Sequence, residues 1–236
     1  MQVKKNIVGI IQARLGSKRF PGKMLAQLGD RKVIDWVILR LKNSKKITHL
    51  VLATSQEKKD DPLVEHVSKH QISVYRGSED NVLQRFIDVG NEFQADSIVR
   101  ICADNPFIDS GEVDKLVDAF NEKEHDYLCN HKEFMGNKYP DGFGAEIFTY
   151  ESLLSGSKQL CGSDEIEHVT KLFFNELNNF KCAGLSAEEK IAFPQYKFDV
   201  DYSSDLLYLN NLVDLGVKIN SSAEDVIKIA KEFELN

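Results

Sequence analysis

Between Arg14 and Lys23 the chain sets four cations, Arg14, Lys18, Arg19 and Lys23, around Gly16, Ser17 and Gly22. Glycines let backbone N–H groups approach an anion closely and point inward, and the cations can neutralise a triphosphate tail. The stretch therefore reads as an anion site, placed directly after the apolar run Ile7 to Ile11. It is neither a Walker loop, which needs G-x-x-x-x-G-K-[ST], nor a dinucleotide G-x-G-x-x-G fingerprint.

Carboxylates suited to a divalent cation lie far from this loop in sequence. Asp104 follows the apolar run Ser97 to Ile101 and precedes Asn105-Pro106. Proline ends a strand, which leaves Asp104 at the carboxyl edge where ligands of open α/β sheets collect. In Phe198-Asp199-Val200-Asp201, strand alternation puts Asp199 and Asp201 on one face, where like charges repel unless a cation stands beside them. Magnesium suits such a site, because it keeps several waters and takes its other oxygens from phosphate. Arg100 interrupts an apolar run and must find a carboxylate or phosphate partner, so it is expected in a structural pair or on a sugar. His168 falls in a first helical turn, and His49, His66, His70, His125 and His131 read as lacking metal-ligand spacing.

The elements that must position these groups follow from periodicity. Asn6 to Gln12, Leu50 to Ala53, Ser73 to Tyr75 and Ser97 to Ile101 read as strands. Val33 to Leu41, Pro62 to Lys69, Asn81 to Phe93 and Gly111 to Glu122 read as the intervening helices. Strands apolar on both faces and separated by helices require a buried, mainly parallel sheet, an α/β fold. From about 125 to 150 the pattern weakens around Gly136, Pro140, Gly142 and Gly144, which predicts an inserted β-rich lobe or lid in a single 1–236 domain. Ser163 followed by Asp164, Glu165 and Glu167 reads as a capped helix start. Gln195 to Val200 reads as a returning strand, and Ser203 to Leu215 and Ser222 to Phe233 as closing helices, the latter with a capping box at Ser222 and Asp225.

Composition narrows the partners. With 30 Lys+Arg against 37 Asp+Glu, the formal charge of −7 argues against a nucleic-acid backbone or an anionic membrane. The first apolar run is too short for a signal-peptide core, and no stretch approaches the ~18 apolar residues of a membrane span, so a cytoplasmic protein is expected. The four cysteines lie far apart, the closest pair, Cys161 and Cys182, by 21 positions, which suits reduced thiols.

The run from Ile10 to Leu25 resembles the A-R-x-G-S-x-R-x-P-x-K signature of the cytidylyltransferases that activate sialic acid and Kdo, and is most similar to the spore-coat-polysaccharide (SpsF) type of that superfamily. Further blocks agree in order: Ala53-Thr54-Ser55, Arg76 to Asp80, Arg100 to Pro106, Tyr139 to Gly142, Glu167 to Thr170 and Val200 to Tyr202. The resemblance thus spans nearly the whole chain. It implies a Rossmann-like, GT-A-like nucleotidyltransferase sandwich of three layers, with a homodimer formed through the lid. It also implies transfer of CMP from CTP to a sugar with release of pyrophosphate, dependent on Mg²⁺. By resemblance, Arg14, Lys23, Asp104 and Asp201 are catalytic, and Asp104, Asp201 and a supporting Asp199 hold the metal. The nucleotide falls to Gln12, Ala13, Arg14, Gly16, Ser17, Arg19, Lys23, Thr54, Arg76, Gly77 and Asp80. The sugar falls to Arg100, Tyr139, Asp141, Glu146, Glu167 and His168.

The acceptor stays open at this point. The relatives often read a sugar carboxylate with arginine or lysine, whereas the lid here offers Lys132 and Lys138 but no arginine. A nonulosonic or octulosonic acid is the first choice, and a sugar phosphate, as in a nucleotide-sugar pyrophosphorylase, the second. A glycosyltransferase is a third reading, since Asp199-Val200-Asp201 matches D-x-D. That motif comes too late in this chain, however, and the basic loop would then have no purpose.

Overall fold

The computed structural model describes residues 5–131, 135–159, 166–174 and 179–235. Cys161, Lys132 and the helix start expected at Ser163 to Glu165 lie outside the described residues.

Strand β1 (Ile7–Gln12) is flanked by β4 (His49–Ser55) on one side and β6 (Ser97–Cys102) on the other, both parallel to it. A short hairpin of β2 (Gln27–Leu28) and β3 (Arg31–Lys32) follows the basic loop. With β5 (Ser73–Gly77), β7 (Tyr127–Cys129), β8 (Glu146–Thr149) and β9 (Cys182–Gly184), the described sheet runs in the order β5-β4-β1-β6-β8-β7-β9. Only β8 opposes its neighbours β6 and β7, so the sheet is mainly parallel.

Alternation along β1 and β6 builds a core on each face. Ile7, Ile11, Val99 and Ile101 pack with α1 (Val33–Leu41), α2 (Asp61–Ser68) and α4 (Ser110–Glu122). Val8, Ile10 and Ile98 pack with α3 (Val82–Glu92) and α5 (Tyr150–Ser157). This is an α/β sandwich of three layers. Side-chain caps start the helices where expected: Asn81 Oδ1 accepts from Gln84 N at 2.9 Å, and Ser222 and Asp225 close a capping box at helix Ala223–Glu234.

The C-terminal segment departs from expectation. Gln195 to Val200 forms no strand of the sheet, and its one ladder contact is an isolated parallel bridge between Lys197 and Asp141. Its apolar residues serve a third core instead, where Phe198 stacks on Phe143 with centroids 4.9 Å apart. Arg40 locks this layer to α1: its buried guanidinium donates to the carbonyls of Phe107, Ile108, Lys218, Ile219 and Ser221 at 2.6–3.2 Å. Burial pulls its pKa down to about 10.

The segment from 125 to 150 places β7 and β8 in the central sheet, with the punctuated stretch between them. There Gly142 takes a φ of +93°, and a Cβ on it would stand 2.5 Å from the Phe198 carbonyl carbon. Only glycine permits this approach, which seats Asp141 beside Asp199. No helix among the described residues is long and apolar enough to cross a membrane.

Candidate active site

The chain runs from β1 through β4 to β5 on one side of the sheet, then returns to β6 on the other, so the carboxyl ends of β1 and β6 flank a topological switch point. A cavity of about 440 Å³ opens there. Its wall is the loop after β1, with Arg14, Gly16, Ser17, Lys18, Arg19 and Lys23, and its far side holds Asp104, Glu167 and His168.

Two devices shape the loop. Asp60, fully buried, accepts the Leu15 amide at 2.7 Å through Oδ1 and the Ser55 hydroxyl through Oδ2. Gly22, at φ +73°, turns the chain so that the next side chain points inward. Among the described residues the amides of Gly16, Ser17, Lys18 and Arg19 have no protein acceptor. These backbone donors, amid the cations, suit phosphate oxygens.

Lys23 is the inward side chain. Its Nζ lies 2.7 Å from Asp104 Oδ2, 2.7 Å from the Val200 carbonyl and 3.5 Å from Asp201 Oδ1. Arg19 reaches the same Asp201 oxygen at 2.7 Å, with its guanidinium 5.5 Å from the Tyr202 ring centroid. The Tyr202 hydrogen bond and the Asp201 charge raise its pKa. Asp201 is presented by a spliced backbone: Phe198 N donates to Asp141 O at 2.9 Å, and Val200 N donates to Asp104 O at 2.8 Å. Asp205 then accepts the amides of Asp201 and Tyr202, both at 2.8 Å, and starts helix Ser203–Asp214.

Behind Lys23 lies a smaller, acidic recess of about 220 Å³ that includes Asp104, Asp141, Glu146, Asp199 and Asp201. Asp199 is nearly buried, and its Oδ1 has no hydrogen-bond partner among the described residues. Burial, reinforced by Asp141, pushes its pKa up to about 7 even though Lys197 stands 3.5 Å away. Its orphaned oxygen shares this recess with Asp104 and Asp201, oxygen donors of the kind a hard divalent cation takes, although the three carboxylates do not close to within 4.8 Å of one another here.

Arg100 lines both spaces. Its Nε donates to Gln12 Oε1 at 3.1 Å, and its NH1 pairs with the fully buried Glu146, which also accepts from Tyr127 OH at 2.7 Å. Burial alone would lower the Arg100 pKa; the surrounding acids, Cys102 and Glu146 foremost, more than reverse this. The expected structural pair for Arg100 is thus identified as Glu146, a residue expected on the sugar.

Several expected nucleotide residues stand apart from the cavity. Arg76 donates to the carbonyls of Ser55 and Glu57 at 3.0 Å and pairs with Asp61 at 2.7 Å, which ties it to the start of α2. Thr54 is fully buried beside it in the sheet, Gly77 packs on Arg85, and Asp80 is exposed. Tyr139, expected on the sugar, is buried in the third core with its hydroxyl 2.7 Å from Glu112. Its hydroxyl is thereby committed to α4.

Arg85 is the cavity residue that sequence reading missed. It lies within the apolar face of α3, is 2% exposed and lines the cavity. NH1 donates to the Ala53 carbonyl at 3.2 Å, while Nε has no partner among the described residues. Burial and the nearby Arg14 lower its pKa. A cation amid Val82, Leu83, Phe86 and Val89 was the available signal. Arg14 itself is held by Glu167 at 3.3 Å and Glu79 at 3.6 Å.

Comparison with known proteins points the same way as the site. Residues 8–207 match the family model described as cytidylyltransferase. The spore coat polysaccharide biosynthesis protein SpsF of Bacillus subtilis is 33% identical over 230 residues, covering 95% of this chain and 93% of its own. A cytidylyltransferase from Leptospira borgpetersenii superposes with a TM-score of 0.89 at 28% identity, over 99% of this chain and 96% of that one. A CMP:2-keto-3-deoxy-manno-octonic acid synthetase solved with CTP superposes with a TM-score of 0.68 at 17% identity, over 90% of this chain and all of that one.

Proposed function

We propose that this chain, which belongs to the cytidylyltransferase family, transfers CMP from CTP to the anomeric hydroxyl of a nonulosonic or octulosonic acid, releasing pyrophosphate, in surface polysaccharide biosynthesis. The observation that carries the reading is the juxtaposition of a basic loop with open amides and the carboxylate of Asp104 in one cavity, with Asp201, on the adjoining acidic recess, paired to Arg19 and Lys23 of that loop.

In this reading the amides of Gly16 to Arg19 and the cations Arg14, Arg19 and Lys23 bind the triphosphate and offset the charge that grows as pyrophosphate leaves. Gln12 and Ala13 face the nucleoside, and Arg85, whose Nε has no partner among the described residues, contacts it or its α-phosphate from the same cavity wall. Thr54, Arg76 and Gly77 back that wall, and Asp80 stands exposed beyond it. Asp104 and Asp201, with Asp199 beside them, would hold Mg²⁺, which supplies charge neutralisation at the α-phosphate when bound. The acceptor lies where the cavity, with Glu167 and His168, meets the acidic recess, with Asp141; Arg100 and Glu146 shape the wall between them, and Tyr139 lies behind it in the third core. The SpsF-like reading extends to a cytoplasmic homodimer assembled through the 125–150 segment, which sedimentation of the purified protein would test.

A matrix of CTP, UTP, ATP and GTP against sugar acids and sugar phosphates, scored by pyrophosphate release, tests the reaction. Release with CTP and a sugar acid is expected, and release with a sugar phosphate would assign the pyrophosphorylase instead. Asp104→Ala and Asp201→Ala should each lose at least ~100-fold in turnover with the fold intact. Near-normal rates in either variant would remove the metal assignment.

A further inference from the structure

We propose that Asp35, His66 and His70 form a zinc site, separate from the catalytic cavity, that staples helix α1 to the end of α2. His66 Nε2 lies 2.7 Å and His70 Nε2 2.6 Å from the same Asp35 oxygen, Oδ1. Their three ligand atoms all lie within 4.8 Å of one another. Asp35 is 7% exposed, and the two histidine side chains are 24% and 16% exposed. The other carboxylate oxygen, Oδ2, accepts the Lys32 amide at 2.8 Å, so Oδ1 is the one left to face the imidazoles.

The spacing carries the chemistry. His66 lies in the last turn of α2 and His70 two positions past its final residue, where the turn that ends the helix brings the two rings to a centroid separation of 5.9 Å. The sequence reading that found no ligand spacing among the histidines is corrected here, because the third donor comes from another helix, 31 positions upstream of His66. Two imidazole nitrogens and one carboxylate oxygen, with a partly open side for water, are a donor set for Zn²⁺. Mg²⁺ prefers oxygen ligands, which separates this site from the acidic recess.

The site has a mechanical role. Helix α1 packs through Ile34, Val37 and Ile38 on Met24, next to Lys23. The turn leading into α2 carries Asp60, which holds the Leu15 amide. A metal bridging α1 and α2 therefore ties together the two supports of the basic loop.

The test is a titration of chelator-treated full-length protein with Zn²⁺ alone. Bound metal would be counted after gel filtration, Co²⁺ substitution followed by visible absorption, and melting temperature recorded in parallel. About one zinc per chain, a tetrahedral Co²⁺ spectrum and a raised melting temperature are expected. His66→Gln and His70→Gln should each weaken zinc binding on the order of 100-fold, with unchanged far-UV circular dichroism. Asp35→Asn should do the same, and the histidine variants decide the matter if it misfolds. Absence of stoichiometric zinc, or full zinc binding by the His66→Gln, His70→Gln double variant, would overturn the site.

Discussion

The ammonium of Lys23 and the carboxylate of Asp104 meet at 2.7 Å although 81 positions separate them, one on the loop after β1 and the other at the end of β6. The pair spans the switch point of the sheet and sets the phosphate loop against the acidic recess. Lys23 also approaches Asp201 at 3.5 Å, so one cation neutralises two carboxylates.

Lys23→Met should therefore separate two effects. Loss of the phosphate contact raises the KM for CTP at least ~10-fold, the cost of one charge-assisted hydrogen bond. Asp104, left without its counter-charge, and Asp201, left with Arg19, should bind Mg²⁺ more tightly, as read by calorimetry without nucleotide. The stability cost is about 1–2 kcal/mol, below that of a fully buried pair because Asp104 is 28% exposed. Unchanged CTP kinetics would contradict the assignment of the loop.

Asp199 predicts a pH dependence. Its folded pKa, about 7, lies above the ordinary carboxyl value of 3.8 because burial disfavours the charged form. The folded protein thus holds this proton more tightly than the unfolded chain, and its contribution to stability is lost as pH rises from about 4 to about 7. In metal-free buffer, Asp199→Asn should be more stable than the parent at pH 8, by a few kcal/mol at most (~1.4 per unit of pKa). The advantage should vanish near pH 4. A melting-temperature difference that does not vary with pH would refute this.

Arg85 carries a buried charge without a carboxylate partner among the described residues. Arg85→Met should weaken CTP binding ~10-fold or more, since hydrogen bonds to charged groups contribute ~1.5–3 kcal/mol. Stability should hold or rise, because an apolar side chain replaces an uncompensated cation. Equilibrium binding and urea unfolding on the same variant give both readouts. A loss of stability with normal CTP affinity would make Arg85 a structural residue only.

Glu146→Gln tests the opposite case. It leaves Arg100 buried without its counter-charge, and Tyr127 OH keeps a neutral acceptor. Destabilisation of about 3 kcal/mol is expected from breaking a buried pair. Urea unfolding with no measurable change would show that Gln12 alone suffices for Arg100.

The strands and helices of the first half, and the loop's anion chemistry, were legible in the residues because both arise from short-range causes. Apolar alternation specifies β1, β4 and β6, and the cations of the loop sit within ten residues of one another. The carboxylates were also legible as types, yet Gln195 to Val200 joins Asp141 by a single bridge rather than entering the sheet. Which groups converge depended on folding at long range. The rotation of α3 about its axis aims Arg85 into the cavity, and the pairing of β5 with β4 carries Arg76 away from it. Asp60 and Asp35 likewise acquired their partners from loops and helices distant in sequence. Periodicity along a chain says which face of an element is buried, but the packing of one element on another decides what that face meets.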